Sequence, residues 1–374
     1  MNVLFINENT LGHTSYLRPF TEELERRPEL NIRARWLDAT PLPPELEHKA
    51  NRSVRGLRHW GLDFGHVRWR RAVSGFVRGQ VLERLRSETL DAIVVNTQSI
   101  ALGLAEIAAA TPVLVCLDAT FRQLARTGWF APAPSSRWLG PLLLAPLSAA
   151  ERRLFSSARR LLPWSTKARH SLENDYGLPG ARISVLPPSV TETPARARPT
   201  HERFQILFVG GDFARKGGPL LLQCFREHFA ARCELHIVTQ SPVQPEPGVL
   251  VHRGLGAHSP EWLERWTQAD VFVFPSRLET FVIVLVEALA FGVPVVAAAT
   301  GAASEVLANG AAGLLLTSLS QETLRQAIHE VLANPDAARQ RAEAGRGQVR
   351  AHFDLATNTQ RLAAWLREGA ESRA

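Results

Sequence analysis

Residues 269–307 read ADVFVFPSRLETFVIVLVEALAFGVPVVAAATGAASEVL, and this stretch decides the fold. Val271–Phe274 is a short apolar run bounded by Asp270 and Pro275, and reads as a strand. Phe281–Ala290 is apolar at nearly every position and reads as a buried helix. Val293–Ala297 is a second strand and Ala302–Ala308 a short helix. Strands without polar alternation, separated by helices, imply a parallel sheet covered on both faces.

Working outward, the same alternation continues. Before it stand strands Phe204–Val209, Leu235–Thr239 and Val249–His252, with helices Pro219–Phe229 and Pro260–Gln268. After it come a last strand, Gly313–Leu315, and helices to the end. The first half repeats the pattern. Val3–Asn7, Ala92–Asn96, Val113–Leu117 and Ile183–Leu186 read as strands. Thr14–Arg27 reads as a helix with Leu17, Phe20 and Leu24 on one face. PPSVTETPARARPTHER, residues 187–203, lacks periodicity and reads as a linker. The expected architecture is α/β: two Rossmann-like, doubly wound domains. Their predicted extents are 1–190 and 204–350, joined by a linker at 191–203. A C-terminal helix, 351–374, is expected to pack back on the first domain.

The chain has 374 residues, too many for one ordinary core. With 45% hydrophobic and 21% charged residues it is neither disordered nor fibrous. Cys116, Cys224 and Cys233 form no CxxC and no even framework, which argues against a disulfide scaffold or structural zinc and fits a reducing cytoplasmic compartment. MNVLFINENTLGH is neither a signal peptide nor a span. Glu287, Gly292 and Pro294 interrupt the longest apolar stretch. The net charge of +7 sits in one half. Residues 1–190 hold 25 basic against 17 acidic side chains, and the remainder 18 against 19. That asymmetry points to an anionic partner of the first half.

In doubly wound folds ligands bind at the carboxyl ends of strands. The loop FVGGDFARKGG, residues 208–218, joins a strand to a helix through glycines and the cations Arg215 and Lys216. Backbone N–H groups, the helix dipole and two positive charges suit a phosphate. The spacing is neither GxGxxG nor GxxxxGK[ST], and a plain turn with solvated cations is the alternative. In PSRLETFVIVLVEALAFGVPVVAA, residues 275–298, Glu279 is expected at a helix tip. Glu287 lies two turns in, about 80° further round the axis. Burying Glu287 among Val286, Ala288 and Leu289 costs several kcal/mol unless donors such as a ribose diol meet it. Glu279 could equally be a capping acid.

These segments, with AAGLLL at 311–316, resemble the GT-B glycosyltransferases, specifically the large retaining family 4. The Glu-x7-Glu pair followed by ALAFGVPVVA is the most specific element. The likeness is strong over 204–335 and topological only over 1–190. It implies two domains facing across a crevice. The second would hold a nucleotide-diphosphate sugar, and the first a glycan, lipid-linked or other hydroxyl acceptor. By resemblance, Arg215 and Lys216 hold the diphosphate, Glu287 the ribose and Glu279 the sugar. The N–H groups of Phe281 and Val282 cradle phosphate or sugar, and the base lies near Arg253 and Gly254. Gly210, Gly211 and Thr280 complete the donor-binding set. Two departures stand out. Gly211 occupies a position where many members carry Arg, a role Arg215 is expected to take. NTLGHTS, residues 9–15, has Gly12 alone in place of a Gly-Gly pair. His13 follows it and is a candidate for contact with donor or acceptor. In CLDATFRQL, 116–124, Asp118 stands near where relatives place a His.

No DxD triplet or clustered ligand set is present, so neither metal nor other cofactor is expected beyond the donor itself. The resemblance implies front-face retention, the departing phosphate oxygen taking the acceptor proton. The stretch 51–80 holds seven arginines and one acid, with Trp60, Phe64, Trp69 and Phe76 interleaved. It matches no nucleic-acid motif and predicts an anionic membrane surface, hence peripheral attachment at the inner face. WFAPAPSSRWLGPLLLAPL, 129–147, adds Trp and Leu to that expectation, although both stretches also suit ordinary helical hairpins. The alternative functions are a GT-B-fold nucleotide-sugar 2-epimerase and a non-catalytic nucleotide-sugar-binding protein.

Overall fold

The structure is a computed structural model that describes residues 1–9, 11–51, 65–127, 140–193, 201–257 and 259–371. It divides into two compact units, Met1–Ser189 with Leu355–Ala374, and Val190–Asp354.

The first unit holds β1 (Asn2–Asn7), α1 (Leu17–Glu25), β2 (Arg33–Asp38), α2 (Pro44–Asn51), α3 (Gly65–Ser87) and β3 (Ala92–Asn96). It continues through α4 (Gln98–Ala101), β4 (Val113–Leu117), α5 (Phe121–Thr127), α6 (Gly140–Ser157), β5 (Arg160–Pro163) and α7 (Thr166–Asn174). Its five strands form one parallel sheet in the order β2-β1-β3-β4-β5. β3 and β4 are buried at every position, as central strands covered on both faces must be. β2, RARWLD, is an edge strand with charged ends, and β5 is short and carries Arg160 at its start. Neither reads as a fully apolar run. Ile183–Leu186, expected as a strand, makes only a single bridge from Ile183 to Leu161. Pro187 and Pro188 follow directly and can donate no ladder hydrogen bond.

The second unit holds β6 (Phe204–Val209), α8 (Gly218–His228), β7 (Cys233–Val238), β8 (Val249–His252), α9 (Pro260–Gln268) and β9 (Val271–Phe274). Then come α10 (Ile283–Ala290), β10 (Val295–Ala298), α11 (Ala303–Val306), β11 (Leu314–Leu316), α12 (Gln321–Ala333) and α13 (Pro335–Gln348). The parallel order is β11-β10-β9-β6-β7-β8. Its core includes Phe208, Phe225, Leu235, Val271 and Ile328. The final helix, α14 (Leu355–Glu371), belongs to the first unit and packs against α1 and β3. Among the described residues no helix is long and apolar enough to cross a membrane. The three cysteines are buried and free.

Candidate functional site

In the second unit, β6, β9 and β10 are adjacent and parallel, so the loops that leave them emerge at one edge. The loop after β6 begins at Gly210, whose N–H bonds the carbonyl of Val238 at 2.9 Å. The Gly211 carbonyl accepts the hydroxyls of Thr239 and Ser241, each at 3.1 Å. The loop closes at Gly217, which caps α8 with φ +80° and has no room for a side chain. A Cβ there would stand 2.0 Å from the Pro275 carbonyl oxygen. Only glycine combines that angle with so close an approach of two backbones.

This turn brings both cations onto one carboxylate. Lys216 Nζ lies 3.2 Å and Arg215 Nη1 3.4 Å from Glu279 Oε1, and the Ser276 hydroxyl donates to the same oxygen at 2.8 Å. Arg215 also donates to the Leu278 carbonyl at 3.2 Å, and Lys216 Nζ stands 4.9 Å over the Phe274 ring. Glu279 was expected at the tip of a helix. The helix begins only at Ile283, with Val282 as its cap, so the 80° relation to Glu287 does not apply. Residues 275–282 form a loop, and the two cations and Ser276 take the carboxylate instead. Every contact on it converges on Oε1; among the described residues no partner meets Oε2. Thr280, Phe281 and Val282 lie between Glu279 and the helix, whose start is capped by no side chain. The loop after β10 supports this one from below: Thr300 Oγ1 donates to the Ser276 carbonyl at 3.2 Å. Gly301, at φ +56°, would place a Cβ 2.7–2.8 Å from the carbonyl oxygens of Thr280 and Glu279.

Glu287 is buried among Leu285, Val286, Ala288 and Leu289 on α10. Its carboxylate has no hydrogen-bond or ion-pair partner among the described residues. Burial pushes its pKa up to about 7. An acid held in this way is a strong acceptor lacking donors. Arg253 turns its guanidinium to the Val243 carbonyl, and Gly254 follows β8 in the left-handed region with open space around it.

In the first unit, the loops after β1, β3 and β4 again share one edge. His13 Nε2 lies 3.6 Å from Asp118 Oδ2, and its ring stands 5.1 Å from Trp164. Each side chain of the pair is 15% exposed. Asp118 Oδ1 accepts its neighbour's Ala119 N–H at 2.8 Å. Two residues not singled out in the sequence, Glu8 and Asn96, complete this edge together with Arg70, which was expected on the basic surface. Glu8 is buried and accepts the hydroxyls of Thr97 (3.1 Å) and Ser99 (2.6 Å). Asn96 donates to Asn7 Oδ1 at 2.9 Å and to the His13 carbonyl at 3.3 Å. Arg70 lies 5.4 Å over Phe121. Burial pulls its guanidinium below the usual range, opposed by the nearby charges of Glu8, Glu151 and Asp118. The available signal was positional: Glu8 and Asn96 end or follow apolar strands.

Arg70, expected on the basic surface of 51–80, is half-buried, with the carboxylates of Glu8, Glu151 and Asp118 near it. Trp69 and Phe76, expected at an interface, pack against the core beside Val73 and Val77. Helical spacing puts them on the flank of the buried valine stripe. Residues 52–64, with Trp60 and Phe64, and residues 128–139 lie outside the described residues.

Residues 255–348 match the family model of glycosyl transferases group 1, so the second unit carries a domain of that family. The chain is 29% identical over 235 residues to a D-inositol 3-phosphate glycosyltransferase of Geodermatophilus obscurus. That match takes in 54% of this chain and 49% of the relative. It is 28% identical over 302 residues to a GDP-mannose-dependent alpha-(1-6)-phosphatidylinositol monomannoside mannosyltransferase of Mycolicibacterium smegmatis, covering 66% of this chain and 78% of that one. The chain thus spans about half the length of several curated relatives it matches. Sucrose-phosphate synthase from Thermosynechococcus elongatus superposes with a TM-score of 0.69 at 16% identity, over 98% of both chains. The fold is that of the GT-B glycosyltransferases.

Proposed function

We propose that this chain is a glycosyltransferase that moves a sugar from a nucleotide-diphosphate sugar, held by the second unit, to a hydroxyl of an acceptor held by the first. The observation that carries the reading is Glu287, a buried carboxylate without a partner on the helix that follows the Lys216–Glu279 network. Two ribose hydroxyls would supply the donors it lacks. Oε2 of Glu279 is open to a sugar hydroxyl. Gly210, Gly211, Arg253, Gly254 and Thr280 complete the donor pocket.

Arg215 and Lys216 then serve the reaction. As the bond from the anomeric carbon to the phosphate oxygen breaks, negative charge collects on the leaving diphosphate. Two cations and the N–H groups of Phe281 and Val282 stabilise it without a metal ion. The acceptor oxygen bonds to the anomeric carbon from the same face, and its proton passes to the departing phosphate oxygen, so configuration is retained. His13 and Asp118 orient the acceptor or donor hydroxyl at the edge of the first unit. The names of the relatives in Geodermatophilus and Mycolicibacterium support an inositol phosphate, glycan or lipid-linked acceptor, and the basic first half supports an anionic one, including attachment to a membrane surface.

The test is calorimetric titration of wild type and Glu287→Gln with UDP-, GDP- and ADP-sugars, followed by acceptor-dependent turnover. At least one donor should bind wild type at least tenfold more tightly than the variant. Equal affinities for every donor would overturn the reading. Release of free nucleotide diphosphate that needs no acceptor would favour the epimerase instead.

A further inference from the structure

The first unit carries a feature that donor chemistry does not use. α5 and α6 border a cavity of about 520 Å³. α5 contributes Arg122 and Arg126 to its lining, and α6 contributes Arg152 together with Leu144, Ala145 and Ala149. Two of these arginines are held in place. The Arg122 and Arg152 guanidinia lie 5.1 and 5.4 Å from the centroid of one ring, Tyr176. Both donate to the Asp175 carbonyl, Arg152 at 3.3 Å, and Arg152 also donates to the Tyr176 carbonyl at 2.9 Å. Tyr176 is fixed in turn by its hydroxyl, which donates to the buried Glu151. Arg126 pairs with Asp175, the one carboxylate on the rim among the contacts made by these arginines.

Three positive charges thus converge with one negative charge between them. Like charges held together repel, and an anion that enters relieves that repulsion. A guanidinium stacked on an aromatic face and tied to a carbonyl has already lost most of its rotamer freedom. It therefore binds an oxyanion at lower entropic cost than a free surface arginine. Its planar fork matches two phosphate oxygens at once. Ala145 and Ala149, both exposed on α6, offer carbon surface beside the arginines, which a bare inorganic ion does not need.

We propose that this groove binds a phosphate group carried on an apolar chain, as in a phospholipid headgroup or a lipid-linked phosphate. The site goes beyond the donor chemistry, and its test is a binding measurement independent of turnover. The full chain is titrated at low salt with glycerol phosphate, and separately with phosphatidylcholine vesicles with and without phosphatidylglycerol. Two variants probe the groove: Arg126→Glu, at a side chain 62% exposed, and Ala149→Glu, at an exposed helical position. Both should fold, and their affinity for a nucleotide sugar should match wild type. Wild type should bind the phosphatidylglycerol vesicles and not the zwitterionic ones, more weakly as salt rises. Each variant should lose at least tenfold in affinity. Binding of glycerol phosphate as tight as that of vesicles would assign the groove to soluble phosphates. Failure of wild type to bind either probe, or variants that bind as wild type does, would overturn the proposal.

Discussion

Glu287 gives the clearest consequence at the level of single residues. Burial on folding raises its pKa from the ordinary carboxylate value of 4.5 to about 7. The folded chain therefore holds a proton that the unfolded chain has released. The stability this confers is complete below the lower value and is lost as pH rises through about 7. Glu287→Gln removes that titration without changing shape. The variant is expected to be more stable than wild type at about pH 8 by roughly 1–3 kcal/mol, and no more stable at about pH 4. Denaturant midpoints at the two values check this. Donor binding should show the opposite dependence. Ribose hydroxyls donate to the ionised form, so nucleotide-sugar affinity should rise with pH up to about 7 in wild type and stay flat in Glu287→Gln. Lys216 makes a different prediction. Lys216→Ala should cost turnover more than nucleoside monophosphate binding, by about 2–3 kcal/mol of barrier, since charge grows on the diphosphate as the bond breaks. Steady-state kinetics beside calorimetry separates the two. EDTA should leave wild-type turnover in place; activity that vanishes and returns with Mg²⁺ would refute the cation-only account.

Elements position these residues by lending their ends. The loop after β9 sits on Gly301 from the loop after β10, where a Cβ would meet two backbone oxygens under 3 Å away. Gly301→Ala should push Glu279 away from Lys216, adding backbone strain of about 1–2 kcal/mol at its positive φ. The expected result is a folded protein with at least tenfold weaker donor binding; unchanged affinity would show that the loop does not depend on this contact. The same elements show what a sequence can disclose. β6 and β9 end where hydrophobic runs end, because a central strand buried on both faces has no polar alternation to blur it. Arg215, Lys216 and Glu279 were recognisable by chemical type, yet their meeting on a single oxygen was not, since it depends on a loop that delays α10 to Ile283. β2 and β5 escape notice because edge positions tolerate charge. Glu8 and Arg70 escape because each reads as a solvated charge until the fold surrounds it with hydroxyls and carboxylates.

For the whole molecule, the telling feature is the path of the chain. It leaves the first unit at Ser189, builds all of the second, and returns at Leu355. α14 then lies against α1 and β3, with Leu362, Ala363 and Leu366 fully buried. Polar anchors hold it along its length. Asn358 donates to Ser189 at 2.9 Å, Arg160 pairs with Glu368 at 2.6 Å, and Arg367 donates to the Leu30 carbonyl at 2.8 Å. Burying each leucine contributes about 1.5–3 kcal/mol, so Leu362 and Leu366 together contribute about 3–6 kcal/mol, a large fraction of the roughly 5–15 kcal/mol that holds an ordinary domain folded. Removing residues 355–374 should therefore destabilise the unit that precedes the second in sequence, and spare the unit it directly follows. Hydrogen exchange tests this residue by residue. Amides of β1, β3 and β4 should lose at least a hundredfold in protection, those of β6, β7 and β9 should keep theirs, and nucleotide-sugar binding should survive. Uniform loss in both sheets would mean that the two units fold as one cooperative body; no loss in β1 and β3 would mean that α14 rests on the first unit without supporting it.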